Sequence, residues 1–233
     1  VGLAVFIALL LYQTGVIRPN NLTPNAIAAQ VVALLPFLIA LLVSIPFHEF
    51  SHGLVATLFG DDTPRRAGRL TLNPLRHLDP LGTLMILVVH FGWGKPMPIN
   101  PNAMRNPNLG WALSSVAGPI SNVVLASIAV IALGIIGDAA GPVERTFITT
   151  LIQLNVALAV FNLLPIPPLD GFGFVFGLAP TPIKIALLPI RQYGPFILLA
   201  LLLVPAFRPV IDGFLAAGSQ LIYAYLGGLL SVF

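Results

Sequence analysis

The sequence predicts an all-α polytopic membrane protein, a bundle of about six transmembrane helices. Three observations carry this expectation. Of the 233 residues, 57% are hydrophobic and only 8% charged, whereas a soluble domain carries roughly 25% charged residues. The mean hydropathy is +0.96. Several apolar runs also approach the roughly 20 residues that a helix needs to cross the hydrocarbon core. So few polar side chains cannot cover a soluble fold of this size, and lipid must do the covering.

Residues 1–17 form the first apolar segment. It runs unbroken from Val1 to Leu11 with no small-residue cleavage site behind it, which favours a membrane helix over a signal peptide. The break Arg18-Pro19-Asn20-Asn21 ends it. Residues 31–59 form a long apolar run, interrupted by Ser44, Pro46 and the cluster His48 to His52. The stretch 60–80 holds Asp61, Asp62, Arg65, Arg66, Arg69, Arg76 and Asp79 and belongs in water. Residues 81–91 are apolar but too short to span, and 92–109 are rich in Gly, Pro and Asn. Two further helices are expected over 110–136 and 145–164. Beyond the Pro-rich break at 165–168, two more are expected near 185–204 and 209–230, with Pro189, Pro195 and Pro205 at kinks or ends. No internal repeat is visible. The chain reads as one membrane-embedded domain, 1–233, with its core at about 31–180.

The net charge is +3, but the basic residues are spread over loops with no basic helix face, so nucleic acid is not an expected partner. Their distribution instead orients the bundle. Taking loops alternately, one side receives Arg65, Arg66, Arg69, Arg76, Lys95, Arg105, Lys184 and Arg191, and the other Arg18, Arg145 and Arg208. The side with more basic residues faces the cytoplasm. Trp93 and Trp111 fit interface anchors. There is no cysteine, so any metal site must use His, Asp or Glu.

Ionisable residues inside apolar helices are expensive and need a reason. His48-Glu49-Phe50-Ser51-His52 matches H-E-x-x-H. Residues i and i+4 project from one helix face, so both imidazoles can reach one metal, and Glu49 can serve as general base for a water beside it. With four His and two Glu in the chain, chance yields such a match only roughly 0.0006 times per chain of this length. A third ligand is needed. The candidates are Asp170, Asp138, Glu144 and Asp212; the last three fall at expected helix ends on the far side. Asp170 lies on the side of the His pair, after Pro165, Pro167 and Pro168, with Gly171 expected to form a tight turn behind the carboxylate. The bland reading of Asp170 is a helix cap at a Pro-rich turn. His77 and His90 read as interfacial polar residues.

Three blocks make the chain resemble the site-2 protease family of intramembrane metalloproteases: His48 to His52, Ala117-Gly118-Pro119-Ile120-Ser121-Asn122, and Asn162 through Gly171. Asn73 to Gly82 and Gly92 to Asn100 are also similar to it. The likeness covers roughly residues 35–180 and is to compact prokaryotic members without a PDZ or CBS module. Pro167 stands where the family's shorter Asn-Pro-x-Asp-Gly pattern has Asn. The resemblance implies Zn2+ held by His48, His52 and Asp170, with Glu49 as base. It implies that Asn122 stabilises the tetrahedral intermediate and that Asn162 orients substrate or ligand. It also implies a short re-entrant β-hairpin within 84–106, where a substrate strand would pair near Ile99. The expected reaction is peptide-bond hydrolysis in transmembrane protein or peptide substrates, in the cytoplasmic membrane with the site towards the cytoplasm. A metal-binding transporter or channel is the rival reading, since His and Asp at mid-membrane also mark transit sites.

Overall fold

The computed structural model describes residues 24–79 and 94–231. These fold into α1 (Pro24–Leu58), α2 (Thr63–Arg66), α3 (Pro107–Ile136), α4 (Pro142–Asn162), α5 (Asp170–Leu178), α6 (Thr181–Leu203) and α7 (Arg208–Leu230), with short 3-10 turns between several of them. Five stretches are long and apolar enough to cross a membrane: Leu35–Leu58, Pro107–Ala139, Pro142–Asn162, Thr181–Leu202 and Pro205–Leu230. The expected count of six rested also on residues 1–17, which lie outside the described residues.

Helix starts follow local chemistry. The Asn106 side chain accepts from the Leu109 N–H, with Pro107 in the first helical position, so one orphan donor is capped and Pro sits where its missing N–H costs nothing. Asn73 and Asn100 cap the 3-10 turns Pro74–Arg76 and Pro101–Ala103 in the same way.

Helix α3 is central and packs against α1, α4, α5 and α7. Its buried face is built from small residues, including Ala112, Ser114, Ser115, Ala117, Gly118, Ser121 and Asn122. Small side chains let membrane helices approach closely. Apolar clusters join α3, α4 and α7 through Ala126, Val130, Ile152, Val156 and Leu226, and α1 to α4 through Phe37, Leu41, Leu154 and Leu158. The outer faces are apolar and exposed, as at Leu58, Ile135, Phe196 and Leu221, which suits lipid contact.

Two expectations change here. Among the described residues no β-sheet forms; a single antiparallel bridge joins Leu78 to Gly94. Residues 84–93 of the expected hairpin lie outside the described residues, and the part that follows is a proline-rich run without helix up to Asn100. Gly171 makes no turn. Asp170 opens α5, and Gly171 sits in its first turn, where a Cβ would overlap the Leu163 carbonyl. Glycine is needed there for close approach rather than for a special backbone angle.

Candidate metal centre

His48 and His52 stand one turn apart on α1, and α5 brings Asp170 to them. His48 Nε2 lies 3.0 Å from His52 Nε2. Asp170 Oδ2 lies 3.1 Å from His48 Nε2 and 3.4 Å from His52 Nε2. The imidazole rings meet edge-on at 86°.

Hydrogen bonds behind the rings fix which nitrogens carry protons. His52 Nδ1 is 2.6 Å from the Ser114 carbonyl, which can only accept, so Nδ1–H donates. For His48 the chain of inference starts at the Leu151 carbonyl. Asn155 Nδ2 donates to it and to Ser44 Oγ. Asn155 Oδ1 therefore accepts, from Asn122 Nδ2 at 2.7 Å. That turns Asn122 Oδ1 towards His48 Nδ1 at 2.6 Å, so this nitrogen also donates. Both neutral imidazoles then aim an Nε2 lone pair at the carboxylate and at each other. Asp170 Oδ2 is buried and has no hydrogen-bond donor. Three acceptors facing one point repel one another unless a cation lies between them.

The spacing fits zinc. Bond lengths of about 2.0–2.1 Å in tetrahedral geometry place adjacent ligand atoms about 3.3 Å apart. The three observed separations bracket that value. Among the described residues this is the one group of metal-ligating side chains. Asp138 instead faces Arg145.

Glu49 is outside the ligand group. Its Oε2 accepts the Met97 N–H at 2.7 Å. The run from Gly94 to Asn100 is tied down at several points: the Lys95 N–H donates to the His77 carbonyl, Arg69 to the Lys95 carbonyl, and the Asn100 N–H to Asp61 Oδ2. Asp61 is fully buried. His77 is buried too, with Nε2 on the Thr71 carbonyl, so it braces this run rather than lying at an interface as expected. His90 and Trp93 lie outside the described residues.

A cavity of about 480 Å³ opens beside the ligands, lined by Glu49, His52 and Asp170 together with Met97, Ile99 and Trp111. Trp111 is thus part of the cavity wall. Asn122 is fully buried and engaged at both ends of its amide, which favours orienting His48 over donating to an oxyanion. Asn162 donates to the Leu158 carbonyl of its own helix and does not line the cavity.

Sequence reading passed over Asn155 and Ser44. An amide in the middle of the apolar run of α4 was the available signal. Asn155→Leu is expected to weaken metal binding by up to about tenfold, the lower end of the loss when a ligand's own hydrogen-bond partner is removed, because Asn155 acts on His48 through Asn122. Competition with a chromophoric chelator measures it, and unchanged affinity would make the amide mere helix packing.

No family model matches the chain, and no solved structure matches it. Among curated proteins, the chain is 42% identical over 195 residues to "Putative zinc metalloprotease YwhC" of Bacillus subtilis (strain 168), covering 80% of this chain and 89% of the relative. It is 35% identical over 176 residues to "Putative zinc metalloprotease Rip2" of Mycolicibacterium smegmatis, covering 72% of this chain and 66% of that one. The Rip2 of Mycobacterium tuberculosis (strain ATCC 25618 / H37Rv) is 33% identical over 171 residues, with the same coverage. With two imidazoles and a carboxylate converging beside a second carboxylate that is not a ligand, and with relatives of this extent, the chain belongs to the zinc metalloprotease family that includes YwhC and Rip2.

Proposed function

We propose that this chain is an intramembrane zinc metalloprotease of the site-2 protease type. In this reading it is a multi-pass protein of the cytoplasmic membrane that hydrolyses peptide bonds within or near transmembrane segments of its substrates, in regulated intramembrane proteolysis. Its active site faces the cytoplasmic side. The observation that carries the reading is the location of the cation site: two of its three ligands belong to a helix long and apolar enough to cross a membrane.

His48, His52 and Asp170 would hold the metal. Zinc bound there would supply a Lewis acid for the substrate carbonyl and for the attacking water. Glu49 takes a proton from the attacking water and later delivers it to the leaving amine. The Met97 N–H steadies that carboxylate. Asn122, Asn155 and Ser44 hold the His48 ring in place.

Substrate pairs at Ile99, where the run 95–99 keeps a backbone donor not used among the described residues. Pro96 and Pro98 fix φ near −65° and push Lys95 and Met97 into extended conformations. Alternate residues of an extended run share an edge, so Ile99 faces the same way as Met97, towards the base. A substrate strand laid there meets Ile99 backbone groups within the cavity. A helix must unwind to be read in this way.

Two measurements test the reading together. Purified protein is expected to hold about one zinc per chain, and the His48, His52 double alanine variant none. Cleavage of single-span substrates differing only in helix stability is expected to speed up with Gly or Pro near the scissile bond, since each weakens a helix by about 1 to 3 kcal/mol relative to Ala. Zinc retained by the double variant rejects the site. Equal rates across the substrate series reject the intramembrane mode.

A further inference from the structure

Helix α6 carries a charge where a membrane helix should have none. Arg191 lies ten residues after Thr181 and twelve before Leu203, about 15 and 18 Å along the axis from the two ends. The sequence reading had counted it with the cytoplasmic loops. An ionisable residue at the middle of a span normally faces the bundle interior or a wet cavity and has a partner. Arg191 has the cavity: it lines the same 480 Å³ space as Glu49, His52 and Asp170.

Among the described residues it has no anionic partner. Its guanidinium carbon lies 4.8 Å from the centroid of the Trp111 ring and 5.7 Å from that of Phe176. Among the described residues, no carboxylate comes within ion-pair distance of Arg191 and none of its guanidinium N–H groups makes a hydrogen bond. The two cavity carboxylates are already committed, Glu49 to the Met97 N–H and Asp170 to the cation site it shares with the histidines. Stacking on aromatic rings uses the faces of a guanidinium and leaves its planar edge of donors free, in the fork that matches a carboxylate. The helix is also held in register. A Cβ at Gly194, one turn on, would overlap Pro167 in the loop that leads to Asp170. The backbone that carries Arg191 is therefore held close to the loop that leads to Asp170, while the exposed side chain reaches Trp111 and Phe176.

We propose that Arg191 is the specificity-determining residue of a subsite, within the catalytic cavity, for a carboxylate of the polypeptide substrate: an Asp or Glu side chain a few residues from the scissile bond. A lipid phosphate has the same charge, but the guanidinium belongs to the wall of the cavity that holds Glu49, His52 and Asp170, where a bound polypeptide must lie. The subsite rests on the proteolytic reading above.

The test uses the full chain in vesicles and single-span substrates identical except at one position, scanned along both sides of the cleaved bond and filled with Glu, Gln or Lys. Wild type is expected to favour Glu over Gln at one position by about ten- to a hundredfold in kcat/KM, the usual range for a hydrogen bond to a charged group. Arg191→Glu is expected to reverse the preference towards Lys, and Arg191→Lys to keep part of it, with zinc content unchanged in both. The same Glu:Lys ratio in wild type and Arg191→Glu overturns the proposal. So does an equal loss on every substrate, which would make Arg191 a brace for Trp111. A dependence of rate on phosphatidylglycerol in the vesicles, in place of substrate charge, assigns the guanidinium to lipid and also overturns it. Cleavage of no substrate by zinc-loaded wild type rejects the proteolytic reading, and the subsite with it.

Discussion

Glu49→Gln is expected to keep its zinc and to lose peptide cleavage by about a hundred- to ten-thousandfold, the usual contribution of a positioned general base. The two halves of this expectation have separate grounds. Zinc stays because Glu49 is outside the converging group of His48, His52 and Asp170. Glutamine is isosteric, and its amide oxygen can still accept the Met97 N–H that Glu49 Oε2 accepts at 2.7 Å. The cavity wall therefore keeps its shape. Cleavage falls because an amide cannot take a proton from water. Metal analysis and single-turnover cleavage of a single-span substrate check the two halves on one preparation. Substantial residual proteolysis would mean that another group serves as base. Loss of zinc would place Glu49 among the ligands.

The legible part of this site was the part whose chemistry is rare in an apolar chain. H-E-x-x-H stands out because helical spacing alone brings His48 and His52 to one face, whatever the rest of the fold does. Asp170 stands out because few carboxylates are available and the others fall at far helix ends. The five long helices among the described residues read well for the same reason: each is a long apolar run bounded by Pro, Gly or Asn, whereas α2 and α5 are too short to give such a run. The supports of the site were harder to see. Asn155 holds His48 only through Asn122, a link across three helices that no local pattern announces. The Met97 contact to Glu49 is made by a backbone N–H, which every non-proline residue has. Arg191 falls inside the helix expected near 185–204 but was counted only as a basic residue of the cytoplasmic side, because the cavity that it lines is formed by distant segments. Gly171 was read through the usual preference of glycine for turns, when the demand was for space beside Leu163.

Space also makes Gly118→Ala the sharpest single test of the centre. Helix α3 crosses the ligand face of α1 at this residue. A Cβ at Gly118 would overlap His52 Nε2 and lie 2.6 Å from His48 Cε1. The atoms in the way are the ring edges that present the metal-binding lone pairs. Those rings cannot turn aside without releasing the Ser114 carbonyl or Asn122 on their other side. By helix propensity alone the substitution should help, since Ala is better than Gly in a helix interior by about 1 kcal/mol. The two effects are therefore separable. The variant is expected to keep its helical content in far-UV circular dichroism while zinc stoichiometry falls well below one per chain and cleavage becomes undetectable. Gly227→Ala supplies the contrast, because a Cβ there meets nothing within 4 Å, and it should leave zinc and activity unchanged. If Gly118→Ala binds zinc stoichiometrically and cleaves at the wild-type rate, the close passage of α3 over the two imidazoles is not what holds them in place.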